Sequence, residues 1–100
     1  MADYILVVQL DIDKKHEKEF NELYDGEHVP SLLSVKGVKS GQRYELDSNA
    51  EDELRYLAIY EIERPDIPTS EEWQKAANTP GWSAVRGCIT ERRRGVFRKM

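Results

Sequence analysis

Cysteine is almost absent from this sequence of 100 residues, in which Cys88 is the single example. One cysteine cannot form an intrachain disulfide or supply the thiolate cluster of a structural zinc site. We therefore expect a cytoplasmic protein, because thiols stay reduced in that compartment. Cys88 itself is predicted to be a small buried apolar residue rather than a nucleophile, since no base can be placed beside it from the sequence.

Long hydrophobic runs are also missing. No run is longer than the five residues from Tyr4 to Val8, which is far shorter than the roughly 20 residues that cross a bilayer. No basic segment of the kind that begins a signal peptide precedes this run. We expect a soluble protein without a targeting segment and without a membrane partner.

An excess of positive charge is missing too, because 15 basic residues face 19 acidic ones and the net charge is −4. A protein that binds nucleic acid through a general basic surface would carry the opposite sign, so we expect no nucleic-acid partner. The last ten residues nevertheless carry a net charge of +4. We expect the run from Arg92 to Arg94 to pair with acidic side chains rather than to form an anion site. The candidate acids are Asp11, Asp13, Glu61 and Glu63.

The length and the hydrophobic content of 39% fit one domain with one core, spanning residues 1–100. Tyr4 to Leu10 is almost continuously apolar, which is typical of a central strand. The segments Val38 to Leu46 and Leu54 to Ile62 alternate and predict a hairpin, in which Tyr44 points to the side of the helices. Thr90 to Lys99 predicts a last strand.

Two helical regions are predicted between the strands. The first begins after Asp13 as N-cap, and we expect it to break at Gly26 and to restart at Pro30. The second begins at a capping box formed by Thr69 and Glu72 and continues in two short pieces.

The resulting order βαββαβ predicts an α+β domain of the ferredoxin-like kind, with a four-stranded antiparallel sheet and the helices on one face. The other face of the sheet would then be apolar, which is unfavourable in water. We expect a symmetric homodimer in which two sheets pack face to face. The apolar residues of this open face are predicted to be Ile5, Val7, Leu57 and Ile59.

Five segments form a set that covers nearly the whole chain. They are YDGEHVP from Tyr24 to Pro30, the pairs Gly37-Val38 and Arg43-Tyr44, RYLAIYE from Arg55 to Glu61, and a helix with Trp73 that runs into Thr79-Pro80. This set resembles the EthD-like families of the dimeric α/β-barrel superfamily. The resemblance implies that fold and a ligand space between helices and sheet, in which a histidine often contacts the ligand. It implies no single chemistry, because members of the superfamily include cofactor-free cyclases, monooxygenases and isomerases, and much longer relatives that use haem. The sequence itself gives no argument for haem, so we expect no cofactor.

His28 is the candidate catalytic base, and Tyr24 is its candidate partner. A histidine with a pKa near its ordinary value of about 6.5 suits a general base at neutral pH. Tyr24 lies four residues earlier and therefore shares a helix face with His28. The structural alternative is that His28 only hydrogen-bonds backbone groups freed by the helix break. His16 lies among charged residues and is predicted to be solvated, so we expect no metal site.

Aromatic residues form the second candidate group. Each of them has the simpler interpretation of a core or interface residue. Together, however, strand tyrosines that face tryptophan-bearing helices would line a concave space suited to an oxygenated aromatic or polyketide-like ligand. The predicted ligand-binding residues are Tyr44, Tyr60, Trp73 and Trp82, with Tyr56 in the same group. Arg43, next to Tyr44, is then expected on the dimer face.

Three functions remain open at this point. In the first, a cofactor-free enzyme transfers a proton from an oxygenated metabolite to His28, as in cyclisation, isomerisation or a lyase reaction, while Tyr24 or a strand tyrosine stabilises the oxyanion. In the second, a non-catalytic binding or accessory protein of a degradation pathway uses the same pocket. In the third, the dimer is purely structural and side chains fill the pocket.

Overall fold

The computed structural model describes residues 3–47 and 53–100. Strands and short helices alternate along this part of the chain, and none of these helices is long and apolar enough to cross a membrane. In order, the elements are β1 (Tyr4–Ile12), α1 (Glu17–Leu23), α2 (Val29–Leu33), β2 (Val38–Glu45), β3 (Tyr56–Ile62), α3 (Glu71–Ala77), α4 (Pro80–Val85) and β4 (Ile89–Arg98).

The four strands form one antiparallel sheet in the order β2-β3-β1-β4, so β1 and β3 are central and β2 and β4 are edges. This order and the helices on one side confirm the predicted ferredoxin-like α+β fold. The boundaries differ from prediction by a few residues, because strand ends depend on pairing as well as on pattern.

Alternate residues of β1 and β3 are buried beneath the helices. Leu6, Tyr60 and Ile62 are at most 1% exposed, and they pack with Phe20 and Leu32 of the helices. Fully burying one such side chain contributes roughly 1.5–3 kcal/mol to stability. The intervening residues lie on the open face, as predicted for Ile5, Val7, Leu57 and Ile59.

The face assignment of β2 is the first correction. The pairing of β2 with β3 shifts by one residue between Val38, opposite Ile62, and Ser40, opposite Glu61. Such a bulge adds one residue to a strand, and a shift by one residue sends every later side chain to the other face. Consequently Arg43 faces the helices and Tyr44 lies on the open face, which reverses the prediction for both.

The predicted helix break at Gly26 is the second correction. A π-helical segment, Tyr24–His28, joins α1 directly to α2, and the Val29 amide donates to the carbonyl of Tyr24, five residues back. Pro30 has no amide hydrogen, so a regular α-helical bond to Gly26 cannot form. The wider turn accommodates this loss without ending the helix.

The cap of α3 lies one residue later than predicted. Thr69 belongs to the 3₁₀ turn Ile67–Thr69, and Ser70 is the first extended residue after it. The Ser70 hydroxyl oxygen accepts a hydrogen bond from the Trp73 amide at 3.2 Å. In α4 the Thr79 hydroxyl oxygen accepts one from the Trp82 amide at 3.3 Å in the same way.

Candidate functional site

Two side-chain hydrogen bonds connect the helical segments that cover the sheet. The Ser31 hydroxyl of α2 donates to the carbonyl of Ala76 in α3 at 2.6 Å. The Thr79 hydroxyl before α4 donates to Glu27 Oε2 in the π segment at 2.9 Å. Because α3 and α4 carry the two tryptophans of the chain, these bonds hold both indole rings beside the π segment.

His28 lies in the interior between the helices and the sheet. It is 5% exposed, and its ring stacks on Trp82 with centroids 3.7 Å apart and planes inclined by 14°. Its Nδ1 atom is buried and has no hydrogen-bond partner among the described residues. Burial, aided by the positive charge of Arg43, lowers the pKa of His28 to about 4. The imidazole is therefore neutral at pH 7, and its buried Nδ1 has an unused capacity for a hydrogen bond.

Tyr24 contacts His28, as its position one helical turn earlier predicted. The two rings meet edge to face with centroids 4.9 Å apart. The Tyr60 hydroxyl donates to the Tyr24 hydroxyl at 3.4 Å, and burial raises the pKa of both phenols. Both tyrosines therefore stay protonated over the physiological range and can act as hydrogen-bond donors.

Arg43 supports this group from β2. Its guanidinium carbon lies 4.2 Å from the centroid of the Tyr24 ring, which is the geometry of a cation–π contact. Nη1 donates to Asp25 at 3.1 Å and Nη2 donates to Asn21 at 3.0 Å. Arg43 thus holds Tyr24 in place, and its charge also disfavours protonation of His28.

A small cavity lies between this group and the sheet. Its volume is about 60 Å³, enough for a few water molecules or one small group of a ligand. Its walls include His28, Tyr24 and Tyr60, together with apolar residues of β1 and the helices. The cavity is enclosed on most sides, so a ligand group inside it would be largely removed from water.

A larger outer cavity of about 620 Å³ opens beside the small one. The two share Trp73, Ala77, Trp82, Arg92 and Arg94 in their walls, which makes them an inner chamber and an outer chamber of one site. The outer chamber can hold a molecule with several rings, whereas the inner chamber admits only a few atoms.

Arg92 and Arg94 do not form the ion pairs that we expected. Arg92 and Arg94 lie opposite Leu10 and Val8 of β1, on the helix side of the sheet, where they line both chambers. Among the ion pairs of the described residues, none joins either one to a carboxylate. Only alternate residues of a strand share a face, so Arg93 points to the open face.

The predicted site residues divide into two groups. The inner chamber brings together His28, Tyr24, Tyr60, Trp73 and Trp82. Tyr44 is 52% exposed on the open face, and its expected place in this chamber is wrong because of the bulge in β2.

Tyr56, Cys88 and His16 are three other residues to which the sequence assigned a place. Tyr56 is buried and accepts a hydrogen bond from Asn21 at 3.3 Å, outside the chamber walls. Cys88 is half-buried rather than fully buried. His16 is exposed, as predicted. Across residues 3–47 and 53–100, no three histidine, cysteine, aspartate or glutamate side chains come close enough to hold a metal ion.

Solved structures with this fold come from several organisms, although the sequence matches no protein-family model and no curated protein. A conserved protein from Methanosarcina mazei superposes with a TM-score of 0.69 and 15% identity, covering 100% of this chain and 95% of its own. A candidate antibiotic biosynthesis monooxygenase from Bordetella bronchiseptica gives 0.68 and 16%, covering 100% and 99%. An EthD family protein from Bacillus halodurans gives 0.57 and 14%, covering 97% and 99%.

This chain has the same ferredoxin-like fold as these structures. The resemblance to EthD-like proteins predicted from the sequence is thereby confirmed for the fold. At 14–16% identity the similarity carries no substrate and no reaction to this chain.

Sequence reasoning missed three residues of the site, namely Arg43, Arg92 and Arg94. The sequence could have indicated Arg92 and Arg94, because residues 92, 94 and 96 share one face of the predicted last strand. Arg43 could not be found, since its face depends on a bulge that the alternation in β2 does not reveal.

Proposed function

We propose that the protein binds a small organic molecule between its helices and its sheet. The observation that carries this proposal is that His28, whose buried Nδ1 has no hydrogen-bond partner among the described residues, lies in the wall of the inner chamber. A buried polar atom without a partner costs stability, and cavities of this size are costly as well. A purely structural dimer would gain stability by filling the chamber, which disfavours that alternative.

The two tryptophans make the proposal testable, because Trp73 and Trp82 are the only ones in the chain and both line the site. We expect aromatic ketones that bind there to quench tryptophan fluorescence in a saturable way. Replacing Ala77, which lines both chambers, with phenylalanine should abolish the quenching. Ala84→Phe on the exposed side of α4 is the matched control and should leave it intact. Equal quenching in both variants would place the ligand elsewhere.

We further propose that the site transfers a proton without a cofactor. A neutral His28 can accept a proton from a carbon next to a ligand carbonyl, and the electron pair then moves onto the carbonyl oxygen. Tyr24 can donate a hydrogen bond to that oxyanion, because its hydroxyl accepts the hydrogen bond from Tyr60 and keeps its own hydrogen available. A pKa of about 4 makes His28 a weak base, but negative charge on a bound ligand would raise this pKa.

Turnover separates this enzyme from the alternative, a non-catalytic binding or accessory protein of a degradation pathway. The measurement is incorporation of deuterium from D₂O into each ketone that quenches fluorescence. His28→Asn keeps a hydrogen-bonding group, and His28→Phe keeps a ring that can stack on Trp82. For an enzyme, His28→Asn should retain binding and lose exchange by about 100-fold or more, and His28→Phe should lose exchange as well. If the wild type incorporates no deuterium into any ketone that it binds, the non-catalytic binding protein is supported.

We also propose that the protein is a homodimer through its open sheet face. On the described residues this face carries no helix, and Ile5, Val7, Leu57 and Ile59 lie at its centre. Phe97 adds a ring that is 56% exposed. Packing two such faces together would remove this apolar surface from water.

A further inference from the structure

The outer chamber has a charge opposite to that of the whole protein. The net charge of the chain is −4. Among the described residues, the chamber is lined by three arginines and by no aspartate or glutamate. The arginines are Arg86, Arg92 and Arg94, and the remaining walls are tryptophan, small apolar and amide side chains. A concave surface with one sign of charge concentrates ions of the opposite sign.

Arg92 and Arg94 are the two arginines that line both chambers. They stand two residues apart on β4, so their Cα atoms are about 7 Å apart and their side chains project from the same face. Partial burial and the neighbouring Arg92 guanidinium lower the pKa of Arg94. Two cations that face one space and have no carboxylate partner in the described part of the chain repel each other. An anion between them would relieve this repulsion.

The sizes of the two chambers determine where such an anion can lie. The inner chamber has room for only a few atoms, and burial there disfavours charged groups. The outer chamber is about ten times larger, and Arg86 lines it in addition to Arg92 and Arg94. Trp73 and Trp82 line both, so an apolar or aromatic body can lie against them while a small uncharged group reaches His28.

We propose that the ligand is an organic acid whose anionic head is held by Arg92 and Arg94 and whose apolar body lies against Trp73 and Trp82. This inference rests on the function proposed above and specifies its ligand class. A guanidinium binds carboxylates and phosphate esters alike through paired hydrogen bonds. The shared feature is therefore a planar or tetrahedral oxyanion on an apolar body.

The test uses two probes that share an aromatic skeleton and differ in charge. They are 1-anilinonaphthalene-8-sulfonate, an anion, and N-phenyl-1-naphthylamine, which lacks the sulfonate. Both are titrated against tryptophan fluorescence in the wild type, in Arg92→Gln/Arg94→Gln, and in Lys18→Gln/Arg64→Gln. The last variant is the control, because it removes the same charge from exposed positions outside the chambers.

We expect the Arg92→Gln/Arg94→Gln variant to bind the anionic probe about ten-fold more weakly, because it loses charge-assisted hydrogen bonds. Binding of the neutral probe should change by less than about two-fold in this variant, and the control should match the wild type. An unchanged affinity for the anionic probe, or an equal loss for both probes, would overturn the organic-acid inference. In those cases the binding function would stand as long as Ala77→Phe still blocks the neutral probe. If neither probe binds the wild type, the binding function fails together with the inference.

Displacement then distinguishes the two acidic head groups. Bound anionic probe is competed with 2-naphthoate, 2-naphthyl phosphate and 2-naphthol, which share one ring system. The inference requires at least one of the two acids to displace the probe at about ten-fold lower concentration than the naphthol. Preference for the naphthoate identifies a carboxylate ligand and preference for the phosphate identifies a phosphate ester. Displacement by the naphthol at the same concentration as both acids would contradict the role of the arginines.

Discussion

At the scale of single residues, His28 combines burial with a missing hydrogen bond. Its pKa of about 4 lies below the ordinary value of about 6.5, with burial as the main cause. Between these two pH values the unfolded chain binds a proton at this position and the folded chain does not. The stabilisation from neutral His28 is thus complete above pH 6.5 and is lost as the pH falls towards 4.

The lowered pKa of His28 predicts how the free energy of unfolding depends on pH. From pH 7 to pH 5, the wild type should lose about 2 kcal/mol more of its free energy of unfolding than His28→Phe loses. Urea denaturation at several pH values measures the difference, and the carboxylates cancel because both proteins carry them. His16→Phe is the control. His16 is exposed, so this variant should lose as much free energy of unfolding as the wild type. Parallel pH profiles for wild type and His28→Phe would contradict the buried, neutral state.

At the scale of elements, the bulge in β2 determines the position of Gly41 as well as the faces of Arg43 and Tyr44. It places Gly41 on the helix side, opposite Tyr60. A Cβ atom at Gly41 would lie 2.9 Å from two carbons of the Tyr60 ring. The absence of a side chain at this position therefore makes room for a tyrosine of the inner chamber.

We predict that Gly41→Ala destabilises the protein by about 1–3 kcal/mol, because the buried Tyr60 ring must move. The same movement of the Tyr60 ring should weaken the quenching of tryptophan fluorescence by ketones that bind at the site. Gly26→Ala is the matched control: a Cβ there meets nothing within 4 Å, and alanine in a helix should stabilise by roughly 0.5–1 kcal/mol. Thermal unfolding measures both, and equal effects of the two substitutions would disprove the steric argument.

The same elements show what the sequence could predict. The central strands β1 and β3 have a simple apolar pattern without bulges, so their order, their faces and the open surface follow from it. In β2 the extra residue after Val38 is required by pairing, which no local pattern records. The helix through Gly26 and Pro30 continues because packing holds the wider π turn, whereas the local propensities of both residues favour a break. The bulge in β2 accounts for the errors at Tyr44 and Arg43, and the π turn accounts for the error at Gly26.

At the scale of the whole molecule, the open face of the sheet predicts a dimer that can be dissociated. Sedimentation should give a particle of twice 11.6 kDa at micromolar concentration. Val7→Glu should give a monomer or an unfolded chain, because an unpaired charge in a packed face costs several kcal/mol. Circular dichroism distinguishes these two results. Ser83→Glu, on an exposed side of α4, should remain dimeric. A wild-type monomer, or a Val7→Glu dimer, would rule out this interface.

The arrangement of charge around the outer chamber also has a kinetic consequence. A molecule with a net charge of −4 repels anions at a distance, while its three chamber arginines attract them nearby. Salt weakens both fields, and at about 0.1 M only charges within roughly 10 Å of the approaching ligand still act. In stopped-flow measurements, we expect the association rate of the anionic probe with Arg92→Gln/Arg94→Gln to rise with salt. The wild type should show a flatter or opposite dependence, because its chamber guides an acid over the last few ångströms.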